Sequence, residues 1–275
     1  MISIILPASN EDALIGNCLT ALLASADELK AQVIVVANGC SDDTADVARG
    51  FSDHAVARGW SLEVIERKQG GKLAALNSGD TASRYPIRVY LDADVIMSPQ
   101  LLSGLYSVLN RDVAAYASGQ VQIAHPQNRI SRAYARIYAQ VPFMTTGVPG
   151  CGLFAVNGQG RARWDAFPDI ISDDTFVRLS FRPEERHLVP ASYEWPIVEG
   201  LRNLLKVRRR QDTGVTEIRT KYPELLQNDD KPTFSKGHIL RLALRDPIGF
   251  AVYSGVGLWA RLGADKIDQA WSRGR

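Results

Sequence analysis

Two aspartates separated by one residue follow a short apolar run, in the segment Asp92-Ala93-Asp94. The run before them, Ile87-Arg88-Val89-Tyr90-Leu91, is rich in β-branched and aromatic residues, which predicts a buried β-strand. Because side chains alternate along a strand, we expect both carboxylates to point one way and Ala93 the other. Carboxylates at the carboxyl end of a strand suit Mg²⁺ or Mn²⁺ carried by a diphosphate, and open α/β sheets bind ligands at that edge.

A second acidic pair, Asp173-Asp174, follows the glycine-rich loop Gly150-Cys151-Gly152 further along the chain. One of these carboxylates suits a general base that removes a proton from an attacking hydroxyl. Two acidic residues at a helix start can also simply stabilise the helix dipole. Trp195, beside Pro196, could touch an acceptor, although tryptophan more often packs in a core.

Three further kinds of segment suit a nucleotide diphosphate. In Gly70-Gly71-Lys72 the glycines allow close approach of a phosphate and the lysine favours an anion, although the spacing is not that of a Walker A loop. The loop Pro7-Ala8-Ser9-Asn10-Glu11 follows the first predicted strand, and Asn38 and Asp42 follow the second. Turn formation and helix capping explain these loops equally well. The run Arg208-Arg209-Arg210 can grip phosphates, and is also typical of a solvated face.

Strand and helix signals alternate from the N-terminus, which predicts an α/β fold with a parallel, helix-covered sheet. Strands are predicted at 2–6, 33–37, 62–65 and Ile87–Leu91, with helices at 13–25, 44–49 and 72–79 between them. Beyond residue 95 we expect helices at 99–110, 130–140 and 201–210, strands at 114–123 and Leu153–Val156, and a short extended piece at 188–190. The last segment, 236–275, has an amphipathic helical pattern.

The charge of the chain is unevenly distributed. The net charge of +2 argues against a dedicated nucleic-acid binder, so no nucleic-acid partner is expected. Residues 200–275 hold 15 Lys and Arg against 8 Asp and Glu, which suggests an anionic ligand, an anionic membrane surface or a solvated basic face. Cys18, Cys40 and Cys151 form no disulfide or metal-binding pattern, which favours a reducing compartment. We expect a cytoplasmic location, with peripheral contact at the inner face of the membrane as one alternative.

Taken together and in this order, five segments resemble the family 2 glycosyltransferases of the GT-A fold. The resemblance covers about residues 1–215, and implies a Rossmann-like, mainly parallel central sheet flanked by helices, followed by a helical C-terminal extension. We therefore predict a GT-A domain at 1–235, with a nucleotide-sugar-binding half at 1–94 and an acceptor and catalytic half at 95–235, and an amphipathic helical extension at 236–275. The matching segments are Pro7-Ala8-Ser9-Asn10-Glu11, Val35-Val36-Ala37-Asn38-Gly39-Cys40-Ser41-Asp42-Asp43-Thr44, Gly71-Lys72-Leu73-Ala74-Ala75-Leu76-Asn77-Ser78-Gly79, Leu91-Asp92-Ala93-Asp94 and Ile171-Ser172-Asp173-Asp174.

The resemblance implies that the loops after the first two strands hold the nucleoside of a nucleotide-sugar donor. Pro7, Ala8 and Glu11 would line the base and ribose. Asn38 stands where the family usually has an aspartate that reads the uracil edge, and Asp42 would lie beside it.

The resemblance assigns the diphosphate and sugar to the next segments. Lys72 would approach the base or diphosphate. Asp92 would contact the ribose, with Ala93 next to it in the donor site, and Asp94 would hold Mn²⁺ or Mg²⁺. Gly150 and Gly152 would wall the sugar and acceptor pocket.

The resemblance also implies the chemistry. Asp174 would be the catalytic base with Asp173 beside it, and Arg208 and Arg210 would clamp the diphosphate. The Gln-x-x-Arg-Trp motif of processive members is missing from the sequence, which favours addition of a single sugar.

The function that these expectations favour is an inverting, divalent-metal-dependent glycosyltransferase. It would move a sugar from a nucleotide-diphosphate sugar, a UDP-sugar first, to the hydroxyl of a glycan, lipid-linked or small-molecule acceptor. Two alternatives remain open. One is a nucleotidyltransferase, which would usually carry a glycine-rich, basic loop after the first strand. The other is a non-catalytic scaffold that binds nucleotide-sugars.

Overall fold

The computed structural model describes residues 1–26 and 29–262, and these residues form one mixed β-sheet with helices packed against it. The strand order among the described residues is β3-β2-β1-β4-β7-β6-β8-β5. The strands are β1 Ile2–Ala8, β2 Ala31–Asn38, β3 Ser61–Arg67, β4 Ile87–Leu91, β5 Ile96–Met97, β6 Tyr116–Ile123, β7 Leu153–Val156 and β8 Arg186–Trp195.

The first four strands are parallel, as the alternating pattern predicts. β1 lies between β2 and β4, and β2 pairs with β3 on its other side. β1 and β2 are buried along their whole length because helices cover both faces of the sheet. The connecting helices are α1 Asp12–Leu23, α2 Thr44–Arg49, α3 Ser52–Ala57 and α4 Lys72–Ala82. The loops that leave Ala8, Asn38 and Leu91 therefore all emerge at one edge of the sheet.

The second half of the sheet is mixed. β7 runs antiparallel between β4 and β6, β8 is parallel to β6, and β5 is antiparallel to β8. The sequence predicts only 188–190 of β8, because Pro190 interrupts the strand pattern. The structure places Pro190 where the β6–β8 register shifts, so the N–H that proline lacks is not needed for a regular hydrogen bond between the two strands. The two-residue strand β5 was not predicted.

The helices of the second half are α5 Leu101–Leu109, α6 Arg129–Tyr138, α7 Pro142–Thr145, α8 Gly158–Arg161, α9 Asp173–Leu179, α10 Leu201–Lys221, α11 Lys236–Arg245 and α12 Pro247–Leu262, with 3₁₀ segments at Pro183–Glu185 and Pro223–Asn228. The predicted helix at 201–210 therefore continues for three more turns.

Two apolar clusters cover the two faces of the sheet, and alternate residues of β1 point into each. Ile4 packs with α1 and α5 residues in one cluster, whereas Ile5 packs with α4 and α9 residues in the other. A third cluster joins α6, α10 and α12 through Tyr134, Leu204 and Val256. The helical extension predicted at 236–275 is present as α11 and α12, and residues 263–275 lie outside the described residues. No helix in the described part of the chain is long and apolar enough to cross a bilayer.

Candidate active site

The Asp92-Ala93-Asp94 segment leaves β4 at the carboxyl edge of the parallel strands. Asp92 and Asp94 line the same cavity, whereas Ala93 is fully buried in the core, as alternation predicts. The backbone N–H of Asp92 donates to the carbonyl of Gly152 at 2.8 Å. This bond ties the acidic segment to the glycine-rich loop in front of β7.

The cavity has a volume of about 380 Å³ and brings together the two acidic pairs. Eight of the residues predicted from the sequence contribute to its lining, although they come from five separate parts of the chain. They are Pro7, Lys72, Asp92, Asp94, Asp173, Asp174, Arg208 and Arg210.

Lys72 is the cation that connects the two acidic pairs. Its ammonium lies 2.9 Å from Oδ1 of Asp92 and 3.1 Å from Oδ2 of Asp173. The position follows from the fold, because Lys72 is the first residue of α4 and therefore lies at the same sheet edge as Asp92. Burial on its own lowers the pKa of Lys72, but the neighbouring carboxylates, Asp173 first, raise it well above its usual range. Lys72 is therefore a permanent positive charge.

Asp173 and Asp174 form the first turn of α9. Asp173 is almost fully buried, and Oδ1 of Asp174 accepts a hydrogen bond from the backbone N–H of Thr175 at 2.6 Å. Burial and the charge of Asp173 raise the pKa of Asp174, although Lys72 offsets part of this rise. A carboxylate with a raised pKa binds a proton more readily than an ordinary aspartate, which suits a general base.

The loops after β1 and β2 are tied together by Asn38, which is fully buried. Its amide nitrogen donates to the carbonyl of Ala8 at 2.7 Å, and its amide oxygen accepts from the backbone N–H of Gly71 at 2.9 Å. Both ends of the amide therefore hold backbone groups together. The described contacts of Asn38 are those of a residue that holds neighbouring loops together at the sheet edge.

Asp42 and Glu11 also lie at this edge, outside the lining of the cavity. Asp42 accepts hydrogen bonds from the backbone N–H and the hydroxyl of Thr44 and from the backbone N–H of Asp12. Burial tends to raise the pKa of Asp42, but these hydrogen bonds, that of Thr44 first, lower it overall. Glu11 is buried, and its backbone N–H donates to the hydroxyl of Thr44. Ala8 is fully buried as well.

Gly150 and Gly152 have positive φ angles of 69° and 74°. A Cβ atom on Gly150 would lie 1.8 Å from the hydroxyl of Tyr116, and one on Gly152 would lie 2.5 Å from the indole of Trp195. Both positions therefore require glycine for conformation and for space. Between them, Cys151 lines the cavity, while Gly152 lines a smaller adjoining one.

Arg208 and Arg210 reach the cavity from α10. Arg208 pairs with Asp212 at 3.0 Å, one helical turn along. Burial lowers the pKa of Arg208, but Asp212 raises it overall, so the guanidinium stays charged.

An aromatic and apolar wall completes the cavity, and the sequence analysis missed most of it. The wall comes from α6, α7, β8, α10 and α12, which are far apart in the sequence. Trp195, beside Pro196, was the one residue of this wall that the sequence suggested as an acceptor contact. The wall consists of Tyr138, Val141, Phe143, Trp195, Val198, Val207, Val215 and Tyr253.

The donor set suits a divalent metal that also binds a diphosphate. No group of three or more His, Cys, Asp and Glu side chains able to enclose a metal occurs among the described residues. Asp92 and Asp94 nevertheless supply hard oxygens at one point, and Mg²⁺ or Mn²⁺ commonly takes one or two carboxylates with phosphate oxygens and water. Cys18 packs below them, and burial, Asp94 and Asp92 raise the pKa of its thiol, so it remains a neutral, poor ligand.

Comparison with known proteins identifies the family. The family model described as Glycosyl transferase family 2 matches residues 3–154, more than half of the chain. The chain belongs to glycosyl transferase family 2. The match spans the four parallel strands from β1 to β4 and the glycine-rich loop, and includes both Asp92 and Lys72.

Two curated relatives of this family 2 chain are glycosyltransferases. The chain is 33% identical over 127 residues to glycosyltransferase AglE of Haloferax volcanii, covering 46% of this chain and 40% of that protein. It is 25% identical over 194 residues to 4,4'-diaponeurosporenoate glycosyltransferase of Staphylococcus aureus, covering 68% of this chain and 48% of that protein. The matched part thus spans less than half the length of these curated relatives.

Solved structures show the same fold. The mannosyltransferase PcManGT from Pyrobaculum calidifontis, in complex with GDP-Man and Mn²⁺, has a TM-score of 0.60 at 18% identity, covering 97% of this chain and 76% of that one. The TarS fragment of S. aureus in complex with UDP has a TM-score of 0.54 at 13% identity, covering 98% and 94%. The GT-A fold expected for this family 2 chain is therefore confirmed, together with its C-terminal helices.

Proposed function

We propose that this chain is an inverting, divalent-metal-dependent glycosyltransferase that transfers one sugar from a nucleotide-diphosphate sugar to an acceptor hydroxyl. The observation that carries the proposal is the convergence of two acidic pairs on one cavity, with Lys72 between them at 2.9 Å from Asp92 and 3.1 Å from Asp173. A nucleotide-sugar and an acceptor need three functions side by side: neutralisation of a diphosphate, a base and a sugar pocket. This cavity combines groups suited to each.

The donor would bind at the sheet edge. Pro7 lines the cavity beside Asp92, while Ala8, Glu11, Asn38 and Asp42 shape the loops around the nucleoside. Asp94, with Asp92, would hold the metal, and a bound divalent cation would stabilise negative charge on the departing diphosphate. The similar structures with GDP-Man and Mn²⁺ and with UDP support a nucleotide donor. We propose a UDP-sugar as the first donor to test.

Asp174 would act as the base in a single displacement. The acceptor hydroxyl oxygen forms a bond to the anomeric carbon while the bond from that carbon to the diphosphate oxygen breaks. The electron pair leaves with the nucleoside diphosphate, and the hydroxyl proton passes to the Asp174 carboxylate. Attack from the face opposite the leaving group inverts the anomeric configuration. Lys72, Arg208 and Arg210 would stabilise the leaving diphosphate.

A thermal-shift panel tests the donor site. We expect one of UDP, GDP, CDP or dTDP to raise the melting temperature in the presence of Mn²⁺, and Asp94→Ala to lose this rise. Asp112→Ala, which removes an exposed aspartate away from the cavity, is the matched control and should behave as wild type. No response to any nucleotide would contradict the proposal. Nucleotide binding without turnover of any nucleotide-sugar would favour the scaffold alternative instead.

The outer faces of α11 and α12 form the basis of a second proposal, that the chain contacts an anionic membrane surface. Ile248, Trp259 and Leu262 fall on one face of α12 at helical spacing and are exposed. Exposed arginines accompany them, which suits an anionic bilayer surface. The exposed apolar residues are Ile239, Leu240, Leu244, Ile248, Leu258, Trp259 and Leu262, and the arginines are Arg241, Arg245 and Arg261.

Vesicle cosedimentation tests the membrane proposal. We expect binding at low salt to vesicles that contain phosphatidylglycerol, weaker binding to pure phosphatidylcholine, and loss of binding in the double variant Trp259→Ser, Leu262→Ser. Val113→Ser removes an equally exposed apolar side chain elsewhere and is the control. Unchanged cosedimentation of the double variant would refute the proposal. The proposal would also be refuted if the protein failed to bind vesicles and instead formed dimers as its concentration rose, because a second copy would then cover this face.

A further inference from the structure

The segment 229–235, which we name the strap, runs from the second 3₁₀ segment to the start of α11 and borders the cavity. It has no regular secondary structure, so other contacts must fix its path. Phe234 packs into the aromatic cluster of α6 and α12, and Oδ2 of Asp230 lies next to Gly147. Gly147 has a positive φ of 66°, and a Cβ atom there would lie only 3.2 Å from Oδ2 of Asp230, so glycine leaves room for the strap.

Two buried arginines anchor the strap. Arg178 donates to Oδ1 of Asp230 at 2.9 Å and to Oδ1 of Asp229 at 3.0 Å, and Arg186 donates to the same Asp230 oxygen at 2.6 Å. The side chains of Arg178 and Arg186 are 4% and 1% exposed and those of the two aspartates 30%, so these are charge-assisted hydrogen bonds that water screens only in part. Arg178 belongs to α9, the helix that begins with the acidic pair. The strap and the proposed base therefore share one rigid support.

This anchor holds Lys231 at the wall of the cavity. The Lys231 ammonium lies 4.8 Å from the centre of the Phe143 ring, and both residues line the cavity. Within the described part of the chain, no carboxylate forms an ion pair with Lys231, unlike Lys72 and Arg208. Lys231 is exposed to solvent by its accessible area. Its surroundings nevertheless lower its pKa overall, through partial loss of hydration first and the charge of Arg178 second, against Asp229 and Asp174. A lysine that lines the cavity without an ion-pair partner among the described residues suits an incoming anion.

We infer that Lys231 binds an anionic group, of phosphate or carboxylate chemistry, on the acceptor. The inference rests on the proposed function and specifies its acceptor class: a molecule with an anion next to an apolar part. The apolar part would lie on the wall that Phe143 and Tyr138 provide, and the anion would face Lys231.

Lys231 enters the cavity from a different part of the fold than the donor groups of the sheet edge. The diphosphate side of the cavity is marked by Pro7, Lys72 and Asp94, all on the parallel sheet edge. Lys231 instead contacts Phe143 of α7, and of the two acidic pairs only Asp174, the proposed base, acts on its charge. An acceptor held by Lys231 would lie in the same cavity as that base.

Binding of phenyl phosphate to protein saturated with nucleoside diphosphate and Mn²⁺ tests this inference by calorimetry. Saturation blocks the diphosphate site, so the probe reports on a separate anion site. We expect phenyl phosphate to bind more tightly than inorganic phosphate and phenol not to bind. Lys231→Met should weaken phenyl phosphate binding roughly ten- to hundredfold, since a hydrogen bond to a charged group contributes about 1.5–3 kcal/mol. Lys231→Arg should retain binding within a few-fold.

The matched control is Lys236→Met, which removes an exposed lysine five residues further on that does not line the cavity. It should leave phenyl phosphate affinity unchanged. Equal affinity in Lys231→Met and wild type would overturn the inference while leaving the nucleotide results intact. If Lys231→Met instead weakens the nucleoside diphosphate itself, the lysine belongs to the donor site and the inference is wrong. If the wild-type protein binds no nucleoside diphosphate at all, the proposed function is refuted, and this outcome is distinct from a failure of the Lys231 inference.

Discussion

Replacing Lys72 with methionine is expected to lower the free energy of unfolding by about 3 kcal/mol. The ammonium bridges Asp92 and Asp173, and the Lys72 and Asp173 side chains are 18% and 6% exposed. Breaking one partner of a buried pair costs roughly 3–5 kcal/mol, whereas an exposed pair contributes about 1 kcal/mol or less. Because Lys72 keeps some contact with water and Asp92 is 25% exposed, we take the lower end of the buried range.

Urea unfolding of four proteins measures this effect. The variants are Lys72→Met, Asp173→Asn, the double variant and Lys68→Met, an exposed lysine nearby that should change stability by less than about 0.5 kcal/mol. The double variant should lose less stability than the two single variants together, by about 1 kcal/mol or more, because the partner that Lys72→Met leaves unpaired, Asp173, is then a neutral asparagine. Additive effects, or a Lys72→Met protein as stable as wild type, would refute the electrostatic role of Lys72.

The same variant carries a metal test. Without Lys72, the carboxylates of the cavity lack their internal cation, so a divalent cation should bind them more favourably. We expect Mn²⁺ alone to raise the melting temperature of Lys72→Met more than that of wild type. Equal shifts in both proteins would mean that the metal binds away from these carboxylates.

Three further outcomes are expected. Asp174→Asn should reduce turnover roughly 10²- to 10⁴-fold and leave nucleotide affinity unchanged. In the wild type, burial raises the pKa of this base, so the loss of kcat on acidification should begin at a higher pH than for an ordinary aspartate. The native protein also holds this proton more tightly than the unfolded chain does, so the ionised Asp174 lowers stability as pH rises, and the melting temperature of Asp174→Asn at neutral pH should equal or exceed that of the wild type. Asp230→Asn should lower the free energy of unfolding by about 3 kcal/mol, because it leaves buried Arg178 short of its counter-charge, which urea unfolding would reveal. Gly150→Ala should destabilise by about 2 kcal/mol or more through its positive φ and the clash with a buried hydroxyl, whereas Gly257→Ala, with open space around it in α12, should be neutral or stabilising.

The sequence predicts β1, β2, β4 and β7 well because each is a short and almost completely buried run. β4 and β7 have the predicted bounds, and β1 and β2 extend the predicted ones by two or three residues. Local pattern suffices in such elements because burial on both faces removes the ambiguity of side-chain alternation. β8 and β5 are different, since their pairing depends on a bulge at Pro190 and on contacts between distant segments.

The acidic pairs and Lys72 are predictable for the same reason: they lie directly after buried strands or at a helix start. Asn38 shows the limit of such reasoning. A polar residue at a strand end can contact a ligand or hold backbone groups, and its type and position are the same in both cases. The structure gives its amide three backbone partners, Ala8, Val36 and Gly71. The aromatic wall was missed because Tyr138, Trp195 and Tyr253 meet only through the packing of α6, β8 and α12.

The charge distribution of the cavity constrains the order in which its ligands can bind. Five aspartates line the cavity against the three cations assigned to the diphosphate, Lys72, Arg208 and Arg210, so a nucleoside diphosphate that arrives alone meets net negative charge. In a partly buried cavity such repulsion is poorly screened and amounts to several times RT. A divalent cation on Asp94 would offset this negative charge, whereas Lys231 on the strap already offers a positive charge to the acceptor. Donor affinity should therefore depend on the metal, and acceptor affinity should not.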